Sequence, residues 1–392
     1  MNIYKRQSLN ILFYAKTPYQ LLIMSYLALT FKQEENCKLN LILIIDAPLD
    51  KCWQNYDKSI WNDVICRKLT FYPDTSYTKV KYLVEYLGYF FHDKYEKINL
   101  SNYLYSQNNN LNYFFFSNGD DILVPLILEK YPGCISYCVS EGSASYNIGQ
   151  LNGSKLKRMI KLTLLNFYNI LHGGPFLTDG VFNIEGGENV NGYIDTRIDK
   201  ATERFKQKRI LYEIALSDLT QKSKQIIQLP KEFECKIKNK PKALFMTGCL
   251  SEDSDIDESD ELDFYQKVIL TFQKKGFQVF IKPHPREKNK KINKLKMHIN
   301  DVVFLDRMQS IPAEVLFTRI KFQALCGILT SAIWNGYDLG VSEKYFMLPF
   351  LYKQSGGYKR FDINAINNEI RFQNNVFYPE SWEEFQKQLN FK

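Results

Sequence analysis

Apolar positions along this chain fall into two alternating patterns. Short apolar runs, the mark of buried strands, are separated by longer stretches in which apolar residues recur at helical spacing. Asn10–Ala15, Leu39–Ile45, Tyr113–Phe116 and Cys134–Val139 read as strands, with helices over Pro18–Lys32, Lys79–Phe91 and Asp120–Lys130 between them. Strands separated by helices pair in parallel, so this half predicts a doubly wound sheet.

The pattern restarts after a polar, Lys-rich stretch from Gln207 to Pro241 that holds few strand signals. Ala243–Met246, Phe277–Ile281, Val302–Leu305, Ala324–Leu329 and Tyr345–Leu348 read as strands, and Leu262–Lys275, Ala313–Ile320 and Ala332–Leu339 as helices. The last segment, Pro379–Leu389, sets Trp382, Phe385 and Leu389 at helical spacing. The predicted organisation is α/β, with a first domain over residues 1–210, a linker over 211–240 and a second domain over 241–378. A C-terminal helix within 379–392 is predicted to pack back on the first domain.

Open α/β sheets bind ligands beyond the carboxyl ends of their strands. Thr17 follows the first predicted strand, Glu141 the last strand of the first half, and Gly248 the first strand of the second. His284 follows the next strand and Thr330-Ser331 a later one. That convergence is the main sequence argument for a site.

The segment Lys282-Pro283-His284-Pro285-Arg286 carries one of only four histidines, with a proline on each side and a cation beyond each proline. It reads either as a strand delivering an imidazole and positive charge to a leaving phosphate, or as a rigid surface turn with an incidental histidine. Ser140-Glu141-Gly142 places a carboxylate beside a glycine, which suits a general base aimed into a cleft or equally a solvated turn. Thr330 and Ser331 stand where a strand ends and a helix begins, so they cap the helix, hold a phosphate, or both. Met246-Thr247-Gly248-Cys249 offers a single glycine turn to a nucleotide, a weak signal alone.

Other patterns carry less. Neither a G-x-G-x-x-G after a strand nor a phosphate-loop G-x-x-x-x-G-K-[ST] is present, which disfavours those nucleotide chemistries. The acidic run from Glu252 to Glu258 fails the calcium-loop register, with Glu258 where a glycine belongs and Phe264 where a glutamate belongs. Lys155, Lys157, Arg158 and Lys161 share a helical stretch with apolar residues and read as a solvated edge or a basic membrane-facing surface.

The length of 392 residues favours two domains over one core. A formal charge of +8, from 51 basic and 43 acidic residues, is spread along the chain and points to acidic small molecules or an anionic surface before nucleic acid. The eight cysteines stand singly and read as reduced thiols without zinc spacing. The N-terminus lacks a secretion-signal pattern and no apolar stretch is long enough to span a bilayer, so a cytoplasmic protein is expected.

Together these segments resemble the bacterial sialyltransferases of glycosyltransferase family 52 and related families that share a [DE]-[DE]-G motif, a His-Pro motif and a paired Ser/Thr motif. They stand here as Ser140-Glu141-Gly142, His284-Pro285 and Thr330-Ser331. Ala15-Lys16-Thr17-Pro18-Tyr19-Gln20 is similar to the family's N-terminal segment, and Ile311-Pro312-Ala313-Glu314-Val315-Leu316 to its Pro-x-Glu-Val-Leu segment. The resemblance implies a GT-B fold of two Rossmann-like domains facing a central cleft, and inverting, metal-independent transfer from CMP-sialic acid to a galactoside of a capsular polysaccharide or lipooligosaccharide. By that resemblance Glu141 and His284 are the catalytic pair. Thr17, Gly248, Lys282, Pro285, Arg286, Glu314, Thr330 and Ser331 bind substrate, with Glu314 at the ribose hydroxyls. Ser140 departs from the motif, which has an acid in that place, and Glu141 inherits the role of base.

The partners implied are a nucleotide-sugar donor and a glycan acceptor. Nucleic acid is not among them, and there is room for a homodimer and for peripheral attachment to the inner membrane. The rival readings are a transferase of the same fold using another nucleotide sugar, and a non-catalytic carbohydrate- or nucleotide-binding protein of surface-glycan assembly.

Overall fold

The computed structural model of the protein describes residues 8–34, 38–46, 53–67, 69, 94–117, 123–139, 163, 190–200, 210–230, 238–253, 257–328, 330–352 and 376–390. The chain divides into two compact units, Met1–Ala215 and Leu216–Lys392.

The first unit is built on a seven-stranded parallel sheet of order β3-β2-β1-β4-β5-β6-β7. Its strands are β1 (Leu9–Ala15), β2 (Leu39–Asp46), β3 (Asp63–Arg67), β4 (Tyr113–Phe116), β5 (Ile135–Val139), β6 (Gly192–Asp195) and β7 (Ile210–Glu213). Strand β1 is buried from Ile11 to Ala15, as a central parallel strand covered on both faces should be. The order reverses direction between β1 and β4, which is the switch point of a doubly wound sheet.

One row of side chains crosses this sheet in register. Phe13 stacks on Phe115 with ring centroids 4.8 Å apart, and Phe115 on Tyr137 at 5.1 Å. The next residue in the row is Gly192 of β6, paired with Tyr137. A Cβ on Gly192 would sit 2.7 Å from the Tyr137 ring and 2.9 Å from the Ile210 carbonyl, so the ring lies flat over a strand that has no side chain there.

The second unit holds a five-stranded parallel sheet of order β10-β9-β8-β11-β12. Its strands are β8 (Lys242–Met246), β9 (Gln278–Lys282), β10 (Val302–Phe304), β11 (Ala324–Gly327) and β12 (Lys344–Met347), with the switch point between β8 and β11. A core of Phe245, Phe264, Tyr265, Phe272, Phe346 and their neighbours fills one face. Among the described residues no helix is long and apolar enough to cross a membrane.

Several elements differ from the sequence reading. The expected linker over 211–240 instead contributes the edge strand β7 to the first sheet and a helix, Leu216–Ile226, to the second unit. Strand β7 is exposed throughout, so its pattern has no buried face to reveal it. Strands β3 and β6 and the helix Asn289–His298 were also not foreseen. That helix carries five lysines and histidines in ten residues, which hides the stripe of Ile292 and Leu295 that packs inward.

The C-terminal helix Trp382–Gln388 does not need the first domain to bury its apolar face. Phe385 inserts between Phe272 and Phe346 of the second unit at 5.6 and 5.2 Å, and the Lys267 ammonium lies over the Trp382 ring at 4.2 Å. Ser381 caps this helix by accepting from the Glu384 amide. The predicted helix Lys79–Phe91 and the basic stretch 155–161 lie outside the described residues.

Candidate active site

Three neighbouring strands of the second sheet bring the sequence candidates to one carboxyl edge. Met246 pairs with Lys282 and with Gly327, so Thr247-Gly248, the 283–287 turn and the Thr330-Ser331 segment follow three adjacent strands at the carboxyl edge, with the switch point between the first and the last of these segments. The Thr247 amide extends the pairing by donating to the Lys282 carbonyl at 3.1 Å.

The His-Pro segment forms a compact turn after β9. The Glu287 amide closes it on the His284 carbonyl at 3.0 Å, leaving Pro285 and Arg286 exposed at the tip and His284 half-buried. The Arg286 amide donates to His284 Nδ1 at 3.2 Å. An accepting Nδ1 places the proton of the neutral ring on Nε2, which makes Nε2 the donor.

Beneath the turn lies a buried polar cluster. The Glu287 carboxylate accepts from the His284 amide at 2.9 Å and from the Thr247 hydroxyl, and pairs with the Lys291 ammonium at 3.0 Å. Lys291 also binds Glu261 at 2.8 Å, and the three side chains are no more than 2% exposed. Glu261 accepts further from the amides of Leu250 and Ser251 and from the Tyr265 hydroxyl. Burial pushes the Glu287 carboxyl up to about 7, against the pull of Lys291 and the Thr247 and His284 hydrogen bonds. Burial and the nearby carboxylates push the Tyr265 phenol well above its usual value, so it stays a neutral donor.

Two candidates have roles other than the expected ones. The Lys282 ammonium is buried at the end of a covered strand and donates to the carbonyls of Gln309 at 2.7 Å and Pro283 at 3.2 Å. A charge so buried must be satisfied within the fold, and these bonds brace the turn. Gly248, expected to let a nucleotide approach, has its amide on the Tyr265 hydroxyl at 2.8 Å and its carbonyl 3.3 Å from Lys291.

Thr330 and Ser331 begin the helix Ser331–Asp338, with Thr330 as N-cap accepting from the Ala332 amide at 3.4 Å. The turn into it folds tightly: a Cβ on Gly327 would lie 2.8 Å from Thr330 Cγ2. Glu314 is 4% exposed and accepts from the Asn335 amide at 2.7 Å, tying the helix Ala313–Phe317 to the one that starts at Ser331.

In the first unit, Thr17 heads the helix Pro18–Glu34 in a capping box. Its hydroxyl accepts from the Gln20 amide at 3.3 Å, and Gln20 Oε1 accepts from the Thr17 amide at 2.9 Å and the Lys16 amide at 2.8 Å. Glu141 lies outside the described residues. Of the acidic run, Asp257 caps the helix Glu258–Lys274, and the Ser259 amide and hydroxyl hold its carboxyl below the usual value.

Sequence reasoning missed Thr247, Glu261, Tyr265, Glu287, Lys291 and Gln309. Gln309 donates one amide to the carbonyls of His284 at 2.7 Å and Glu287 at 2.8 Å. The available signal was the spacing of Glu287 and Lys291 across one helical turn.

Paired doubly wound sheets of this kind define a GT-B glycosyltransferase fold. The glycosyltransferase of kitacinnamycin superposes with a TM-score of 0.54 at 10% identity, over 98% of this chain and 90% of that one. The UDP-GlcNAc 2-epimerase from Methanocaldococcus jannaschii gives 0.50 at 8% identity, over 98% and 91%. A sialyltransferase from Photobacterium damselae, in its GT-B domain, gives 0.49 at 11% identity, over 87% and 91%. No curated protein matches in sequence. The alpha-2,8-polysialyltransferase (POLYST) family model matches residues 11–340, and the chain belongs to that family. The family shown is thus a bacterial sialyltransferase family, where the motif resemblance had named family 52.

Proposed function

We propose that this chain moves sialic acid from CMP-sialic acid to a hydroxyl of a bacterial surface glycan, with inversion and without a metal. The observation that carries the reading is that the strands leading to His284 and to Thr330-Ser331 flank one central strand, so these residues follow one carboxyl edge of the second sheet, in a chain of the polysialyltransferase family. In this reading the acceptor oxygen bonds to the anomeric carbon as the bond from that carbon to the CMP phosphate oxygen breaks. Glu141 takes the acceptor proton, and CMP leaves with the bonding electron pair.

Charge on the departing phosphate then has two sources of stabilisation. His284 donates from Nε2, and the hydroxyls of Thr330 and Ser331 act with the first amides of the helix they begin. Glu314, buried against the Asn335 side-chain amide, holds that helix in place and in this reading accepts from the ribose hydroxyls. The family name favours a sialoside acceptor and an α-2,8 linkage over a terminal galactoside. Offering both acceptors with one donor separates the two.

The first test is isothermal titration of the protein with CMP, UDP and GDP, repeated on the Thr330→Ala/Ser331→Ala variant. CMP-selective binding that the variant loses is the expected result. Selective binding of UDP or GDP keeps the fold and replaces the donor, and binding of none of them points to the non-catalytic reading. His284→Ala is expected to lower turnover of CMP-sialic acid by about 10²–10⁴-fold with the fold retained. Unchanged turnover removes His284 from the chemistry.

A further inference from the structure

Glu287 is an expensive residue to keep where it is. Its carboxylate is buried, and Lys291, the cation paired with it among the described residues, is shared with a second buried carboxylate, Glu261. With both acids ionised these three described side chains carry two negative charges and one positive, and burial raises the cost of the excess charge. The geometry gives a reason for its presence that stability does not.

Each contact of Glu287 reaches the turn that carries His284. Oε2 takes the His284 amide directly at 2.9 Å, and takes the Thr247 hydroxyl, whose oxygen lies 3.2 Å from that same amide. Gln309 fixes the turn from the other side by donating to the His284 and Glu287 carbonyls. With the backbone held at His284 and at Glu287, the Arg286 amide is aimed at Nδ1 and Nε2 becomes the donor.

We propose that Glu287 is a positioning residue for His284, its ionised carboxylate holding the His-Pro turn in the one arrangement that presents Nε2. The proposal rests on the reading of His284 given above. The groups around Glu287 all point the same way. Lys291, the His284 amide and the Thr247 hydroxyl are donors to it, while Glu261 and Tyr265 face the same ammonium from the helix Glu258–Lys274. A proton on Oε1 would oppose the Lys291 ammonium, and one on Oε2 must turn to the Thr247 hydroxyl, which then stops donating to Glu287 and leaves the His284 amide on an uncharged acceptor. The neutral acid therefore loses the charge-assisted bonds that hold the turn, and the turn loosens when Glu287 is protonated.

Burial sets that protonation at about pH 7. Turnover is expected to fall as pH drops through this value, in addition to any dependence from His284 itself. Glu287→Gln removes the charge at every pH, and its amide nitrogen, a donor only, would meet either the ammonium or the His284 amide.

The test measures kcat for CMP-sialic acid against pH in the full chain, with CMP affinity read in parallel. Glu287→Gln is expected to lower kcat at pH 8 by about 10²-fold, the scale of a misplaced catalytic group, to retain CMP binding, and to lose the limb near neutrality. Thr247→Val removes a hydrogen bond that favours the ionised form, so it should move the limb to higher pH. That second variant carries the test if the first does not fold. Wild-type kcat and an unmoved limb in either folded variant overturn the proposal. ¹⁵N spectra of the histidines provide a readout without turnover: His284 should show its proton on Nε2 in the parent and a mixture of tautomers in Glu287→Gln. An unchanged His284 signal overturns positioning even if the chain proves not to be a sialyltransferase. Unchanged turnover in His284→Ala instead removes the role of His284 on which the proposal rests.

Discussion

At the carboxyl end of β1, Thr17 and Gln20 close a capping box within one turn of helix. At the matching end of β8, Thr247 binds a glutamate from the turn after β9, and that glutamate reaches across to Lys291. The strands occupy the same place in the two sheets, beside the switch point, and the order around them is the same. The first edge is held by neutral bonds, the capping box together with the Tyr19 hydroxyl 3.2 Å from Thr196 Oγ1 and the Tyr56 hydroxyl donating to the Pro18 carbonyl at 3.2 Å; the second is organised by residues from three separate elements around a buried ammonium. Equal topology sets where a site can form, and the side chains beneath the edge decide how rigidly it is held.

The contrast makes unequal predictions for the two units. Lys291→Met leaves two buried carboxylates with no cation between them and should destabilise the second unit by about 3–5 kcal/mol, measured by urea unfolding of the full chain. A loss below that of an ordinary surface change would mean that the cluster does not hold the edge.

A pH series probes the same cluster. The folded chain keeps a proton on Glu287 up to about pH 7, while the unfolded chain releases it near the usual value of 4.5. The folded state therefore binds more protons across that window, and Glu287 lowers stability as pH rises through it, by on the order of 3 kcal/mol in total. Glu287→Gln should flatten that part of the stability profile; a parallel slope in the variant assigns it to other groups.

In the first unit the largest single effect is expected from packing. Gly192→Ala would force a methyl into the Tyr137 ring and the Ile210 carbonyl, with an expected loss of about 1–3 kcal/mol in the same unfolding assay. Gly133→Ala is its control, because a Cβ there meets nothing within 4 Å. Thr17→Ala should cost about 1 kcal/mol through the lost cap and leave CMP binding unchanged. A larger fall in CMP affinity would give Thr17 a role in the site as well as in the helix.

The sequence announced the places in this protein where one residue acts through its neighbours along the chain. Apolar runs at Ile11–Ala15 and Val279–Ile281 gave buried parallel strands, and Thr17-x-x-Gln20 and Thr330 stood where helices begin. His284 between two prolines marked a turn at a strand end, because proline restricts the backbone whatever surrounds it. Tertiary structure alone decided that Lys282 faces inward, that Tyr265 occupies the Gly248 amide, and that Glu261, Glu287 and Lys291 meet. In sequence those last three are ordinary charged residues of helix starts and Lys-rich segments. They become a site only when separate elements bring them out of water together, where a charge must find its partner inside the fold.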